Sequence, residues 1–151
     1  MNAHGNDQWN DKYPRPGIFE ADIKSGTLYA MKEKGKVLGI VVLSDQQDRQ
    51  YEDIGWEDAK GRYLVGHRIA VHPRWHRKGI ANKFMDFALE HARTNGFSSM
   101  RVDTYHKNLR SQALLEKRGF KRRPGHINFP ECTGPYFCYE LLLNEKGRGK
   151  R

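Results

Sequence analysis

The sequence predicts an α/β (α+β) domain with a mixed central sheet of about six strands flanked by helices. Three observations carry this. Short apolar runs recur between turns rich in Gly, Pro and Asp. The best amphipathic helix, from Gly79 or Ile80 to about Asn95, stands between two such runs. Strand, helix, strand implies a right-handed crossover and parallel pairing. Further runs flank this unit on both sides, the first pair forming a β-hairpin.

Taken in order, Met1 to Arg15 is polar and without period, apart from Gln8-Trp9 and Tyr13-Pro14. Pro16 to Ser25 reads as a short helix, with Pro16 in its first turn and Gly26 as terminator. Thr27 to Lys32 alternates as a half-buried strand, and Val37 to Leu43 follows as an apolar one across a turn at Gly35. Ser44 to Gly61 is a long polar loop, a length that in compact domains often carries function. Arg62 to Val71 is the central strand. In the helix that follows, Ile80, Phe84, Phe87, Ala88 and His91 share helical spacing, so both Phe residues are expected in the core. Ser98 to Tyr105 is a strand, Asn108 to about Lys117 a second helix, and Phe120 to Ile127 and Tyr136 to Leu143 the last two strands.

The 151 residues suit one domain, expected over residues 1–143, with a basic flexible tail over 144–151. The formal net charge of +9 favours anionic partners. Its clusters are Arg74 to Lys78, Arg118 to Arg123 and the tail. The two cysteines, Cys132 and Cys138, fit neither a disulfide framework nor a zinc spacing, so reduced thiols are expected. No run approaches the ~20 apolar residues of a membrane span, and no signal peptide is visible. A cytoplasmic protein without membrane partners is the expectation.

Chemistry concentrates in Ile69 to Ala81, IAVHPRWHRKGIA. An apolar strand end meets Pro73, a basic loop and Gly79, and a helix starts at once. Gly79 lets a ligand approach the backbone, helix-start N–H groups point outward, and Arg77 and Lys78 add charge. This is a seat for a phosphate or pyrophosphate. His72 and His76 are four residues apart, but Pro73 intervenes and no third ligand is evident, so no metal is expected.

This stretch resembles the acyl-CoA-binding motif of the GNAT superfamily of N-acyltransferases, an apolar strand ending Val-x-Pro, then Gln/Arg-x-x-Gly-x-Gly/Ala. Here it reads Val71-His72-Pro73, then His76-Arg77-Lys78-Gly79-Ile80-Ala81, with His76 at the usual Gln or Arg. A second segment, Asn108 to Phe120, is similar to the family's Asn-x-x-Ala-x-x-Leu-Tyr-Glu-Lys-x-Gly-Phe. Asn108, Leu114, Glu116, Lys117, Gly119 and Phe120 fall in register. Gln8-Trp9, Tyr13-Pro14, Asp22-Ile23, Leu28-Tyr29, Tyr51 and Trp56 resemble landmarks of a bacterial subgroup of unassigned substrate.

The resemblance implies the GNAT fold, acetyl-CoA as co-substrate and direct attack by a primary amine in a ternary complex. The acceptor would be a small amine, a peptide N-terminus or a Lys. It places Ile69, Ala70, Val71, His76, Arg77, Lys78, Gly79, Ile80, Ala81 and Asn108 at the cofactor. The chain is expected to lack the family's usual first strand and most of its first helix. The bare strand edge that follows invites pairing with a second copy, a homodimer. Two titrating groups of the family are missing: Leu115 stands at the usual acid Tyr, and Val65 at the Glu that some members use as base. His67 and Glu57 (with Glu52) remain as candidate bases, Tyr139 (with Tyr105) as candidate acid. Trp9, Tyr51 and Trp56, with Glu52, Asp53 and Glu57, would make an aromatic and acidic acceptor pocket. The rival readings are a basic nucleic-acid- or ribosome-associated binder on the same fold, and an inactive truncated acyl-CoA-binding remnant.

Overall fold

Every apolar run after residue 26 enters one six-stranded sheet in the computed structural model, which describes residues 26–75 and 79–143 (the Arg68 side chain excepted). The strands are β1 (Leu28–Glu33), β2 (Lys36–Ser44), β3 (Tyr63–Val71), β4 (Ser99–Tyr105), β5 (Lys121–Ile127) and β6 (Tyr136–Leu142). The helices are α1 (Ile80–Thr94) and α2 (Leu109–Lys117). The expected helix at Pro16 to Ser25, Trp9, the absence of a first strand and the tail at 144–151 all fall outside the described residues. So do His76, Arg77 and Lys78.

The sheet order is β1-β2-β3-β4-β6-β5, parallel at β3–β4 and antiparallel elsewhere. Strand, helix, strand therefore gives the parallel pairing that the sequence implies. Alternation divides the sheet into two faces. Leu64 of β3, Met100 and Val102 of β4 and Tyr139 of β6 face the helices, in a core with Ile80, Phe84, Met85, Ala88, Leu89, Ala92 and Leu115. Val65, Tyr105, Tyr136 and Cys138 face the other side, where the 44–61 loop packs with Tyr51 and Ile54.

Phe87 departs from expectation. The helix buries rows through Ile80–Phe84–Ala88–Ala92 and through Met85–Leu89, which leaves Phe87 on the shoulder of the stripe. It is 40% exposed and meets Tyr29 of β1 at 5.1 Å between ring centroids. The helical period was right, but the apolar stripe lies one row away from Phe87 and His91.

The long loop is pinned to the sheet by charge. It folds into a 3-10 turn at Arg49–Asp53, capped by the Asp48 carboxylate, which accepts the Gln50 N–H at 2.9 Å. Glu140 of β6 accepts the N–H groups of Glu57 and Asp58 at 2.8 and 2.9 Å. Arg101 of β4 stands opposite Glu140 in the β4–β6 register and is 2% exposed. Its guanidinium lies over the rings of Trp56 and Tyr63 and donates to Gln47 Oε1 at 2.7 Å and to the Asp58 carbonyl at 2.8 Å. Burial works against this charge, and Glu140 is the leading group that favours it. The arginines of the basic run Arg118 to Arg123 also make contacts within the fold. Arg118 reaches Asp86 at 2.7 Å and Asn82 on α1, Arg122 lies over Phe137, and Arg123 donates to the Gly55 carbonyl.

Candidate active site

Strands β3 and β4 pair only over half their length. Their parallel register runs from Tyr63↔Ser99 to Gly66↔Val102 and ends there, although β3 continues to Val71 and β4 to Tyr105. The contact at the last pair is close: a Cβ on Gly66 would meet Val102 Cγ1 at 2.9 Å. Beyond it the strands diverge and leave a gap through the middle of the sheet. A register shift between β2 and β3, opposite His67, marks the same point. Ile69, Ala70 and Val71 remain paired with β2 on the far side. Every second residue of a strand turns its backbone groups to the opposite neighbour, so this half-strand presents N–H groups toward the gap.

The helix that leaves β3 starts beside this half-strand. Gly79 caps α1 with φ 79° and ψ 10°, a left-handed conformation that favours glycine, and no side chain caps the helix. A Cβ there would meet nothing within 4 Å, so the backbone can be approached from outside. Ile80 is buried in the core and anchors the first turn. This end of α1 fits a phosphate-bearing group by its open backbone and by the dipole of a 15-residue helix.

Asn108 caps α2, its Oδ1 accepting the Ser111 N–H at 3.1 Å, just past the end of β4. The cap role accounts for an Asn at this position.

The candidate catalytic groups separate by face. His67 follows the last paired residue of β3 and lies on the loop face, where its Nε2 is 2.9 Å from Ser44 Oγ. Glu57 lies away from it, with its side chain 60% exposed and 4.0 Å from Arg123. Glu52 and Asp53 are exposed on the loop surface. Tyr139 is fully buried on the helix face and donates to Glu116 Oε2 of α2 at 3.2 Å. Burial, with Glu116 after it, pushes the Tyr139 phenol above its ordinary value. Tyr105 donates to the Thr133 carbonyl at 2.5 Å.

Tyr51 is 1% exposed, packed against Trp56, and donates its hydroxyl to Asp103 Oδ2 at 2.5 Å. Trp56 is half-buried, its indole N–H on the Tyr51 carbonyl at 2.7 Å. The sequence reading missed Arg101, Asp103 and Glu140. The one signal for Arg101 and Asp103 was charge alternating with Met100 and Val102 along β4, and for Glu140 a lone charge in the apolar run of β6. His72 Nδ1 accepts the Arg74 N–H at 3.1 Å. Among the described residues no group of three His, Cys, Asp or Glu side chains could hold a metal ion. Nor is any helix there long and apolar enough to cross a membrane.

Comparison with known proteins bears on this arrangement. The sequence model of the acetyltransferase (GNAT) family matches residues 3–120. The chain belongs to this family. Among solved structures it is similar to a GNAT-family acetyltransferase from Streptococcus agalactiae 2603, with 27% identity and a TM-score of 0.76 over 91% of this chain and 79% of that one. It is also similar to a Staphylococcus aureus Mu50 protein assigned to the acetyltransferases, with 28% identity and a TM-score of 0.70 over 87% and 82%. The fold recurs in yncA of Salmonella typhimurium, solved with its cofactor acetyl-CoA, at 20% identity and a TM-score of 0.63 over 95% and 80%. A comparison with curated proteins gives no match. The GNAT assignment accords with the mixed sheet and with an acyl-CoA-dependent acetyltransferase.

Proposed function

We propose that this GNAT enzyme transfers the acetyl group of acetyl-CoA to a primary amine by direct attack, both substrates being bound together. The observation that carries this is the gap where β3 and β4 part, with the open N-terminus of α1 at the end of β3. An amide-bearing arm entering the gap gains backbone hydrogen bonds as an added strand does. The phosphates of the donor then fall to Gly79, Ile80, Ala81 and the basic loop before them. The Salmonella structure, which holds acetyl-CoA on the same fold, supports this donor.

The chain's groups divide the chemistry between the two faces of the sheet. Backbone N–H groups of the 67–71 half-strand hold the thioester oxygen as it gains charge. His67, on the loop face, takes the proton of the attacking amine as the C–N bond forms. The C–S bond then breaks, and Tyr139, on the helix face, is the candidate proton donor to the leaving thiolate. Its raised phenol keeps the proton at neutral pH. The engagement of Arg118 with Asp86 and Asn82, and of Arg123 with the Gly55 carbonyl, favours this over a nucleic-acid-binding role.

The test is acetylation of an amine panel (spermidine, a lysine peptide amide, a peptide with a free N-terminus) by the wild-type protein and His67→Ala. His67→Ala should lose about 10²-fold or more in kcat/KM, the usual worth of a general base, and keep its thermal shift with acetyl-CoA. Unchanged kcat/KM would remove His67 from the mechanism. Tyr139→Phe should lower kcat on the order of tenfold at unchanged KM for acetyl-CoA. Equal kcat in the two proteins would leave Tyr139 a purely structural residue.

A further inference from the structure

We propose that Arg118 is a positioning residue for acetyl-CoA: reaching from the end of α2 to the first turns of α1, it fixes the phosphate seat at Gly79 relative to the β4 wall of the gap. This rests on the placement of acetyl-CoA proposed for this enzyme and names the side chain that holds that site in shape.

The two walls part beyond Gly66 and Val102, so strand hydrogen bonds no longer set their spacing. Each wall leads into its own helix, β3 into α1 and β4 into α2. A donor with its phosphates at the start of α1 and its arm in the gap needs both walls at one separation. A link between the two helices then serves affinity, because a pre-formed site spares the cost of ordering it on binding.

The helix α2 is fixed to the β4 side. Gln112 Nε2 donates to the His106 carbonyl at 2.9 Å and to the Tyr105 carbonyl at 3.3 Å, at the end of β4. Leu115 is buried in the core, and Glu116 accepts the Tyr139 hydroxyl of β6. The C-terminus of α2 is closed: the Phe120 N–H donates to the Leu115 carbonyl and the Gly119 N–H to the Glu116 carbonyl, both at 3.0 Å. Arg118 projects from this closed turn.

All three guanidinium nitrogens of Arg118 engage α1. Nε and Nη2 donate to Asn82 Oδ1 at 3.2 and 2.9 Å, and Nη2 also to the Asn82 carbonyl at 3.1 Å. Nη1 lies 2.7 Å from Asp86 Oδ1. Asn82 stands in the first turn of α1 and Asp86 in the second. A planar fork held at three nitrogens fixes orientation as well as distance, which a single ammonium does not. The Asp86 side chain is 68% exposed, so the ion pair adds little to global stability. What the fork sets is the place of the start of α1 against α2.

Isothermal titration calorimetry with acetyl-CoA tests this without an acceptor. The proteins are the wild type, Arg118→Ala, Arg118→Lys, the double variant Asn82→Ala/Asp86→Ala, and the triple variant that adds Arg118→Ala to the double. Arg118→Ala is expected to raise the Kd about tenfold, as a displaced binding group does. Its melting temperature should stay within about 4 °C of wild type, the span of an exposed ion pair. Arg118→Lys keeps the charge without the fork and should retain most of the loss. The double variant should also bind more weakly, and the triple no more weakly than Arg118→Ala, since all act on one link. An unchanged Kd in Arg118→Ala overturns the proposal, as does full affinity in Arg118→Lys. A triple variant that loses the sum of the separate effects overturns it too, because Arg118 would then touch the ligand itself. A melting temperature that falls further marks a structural role and has the same consequence. Gly79→Glu, titrated beside these, separates the failures. If it binds like the wild type, the phosphate seat is elsewhere and the role of Arg118 falls with it. If it loses binding while Arg118→Ala does not, the seat stands and Arg118 alone is overturned.

Discussion

A Gly79→Glu protein is expected to lose the stabilisation that acetyl-CoA gives the wild type. A ligand at a hundredfold excess over its Kd contributes about 2.7 kcal/mol. In a domain of this size that is roughly 5–10 °C in melting temperature. Two effects remove it in the variant. The glutamate places a negative charge at the start of α1, in the space that lies open above Gly79. It also has to adopt φ 79°, which costs a non-glycine residue about 1–2 kcal/mol. Gly79→Ala separates them, because it carries the strain without the charge. Its unliganded melting temperature should fall with that of Gly79→Glu, but its shift with acetyl-CoA should be largely kept. A full shift in Gly79→Glu would place the phosphates elsewhere.

Glu140→Ala should lower the global stability by about 3–5 kcal/mol, the cost of removing one partner from a buried charge arrangement. The variant leaves the Glu57 and Asp58 N–H groups without their acceptor and removes the leading charge that favours Arg101. Chemical denaturation measures this directly. Glu140→Gln should fall between, since an amide oxygen can still accept one of the two N–H groups. A loss below about 1 kcal/mol would show that the loop is held by its apolar contacts alone.

The sequence exposed local periodicity and motif, and left long-range partners hidden. Val37 to Leu43 and Arg62 to Val71 read as strands because their apolar runs are bounded by turn residues, and Ile80 to about Asn95 reads as a helix because its apolar residues recur at helical spacing. Gly79 and Asn108 were legible because each has a local cause, a left-handed cap and a side-chain cap. Phe87 was misplaced because a period does not fix which edge of a stripe meets the sheet. Tyr51 was expected in an aromatic and acidic acceptor pocket with Trp9 and Trp56. Its ring lies in the core beneath the loop. Arg101 and Glu140 lie 39 positions apart and meet only through the β4–β6 register, which no local window contains.

The most direct test of the account is backbone amide NMR of the wild-type protein titrated with acetyl-CoA. Shifts are expected to cluster at His67 to Val71, Gly79 to Lys83 and Asp103 to Tyr105, the two walls of the gap and the helix that starts beside them. Shifts confined to scattered surface lysines and arginines, with those three stretches unmoved, would contradict it.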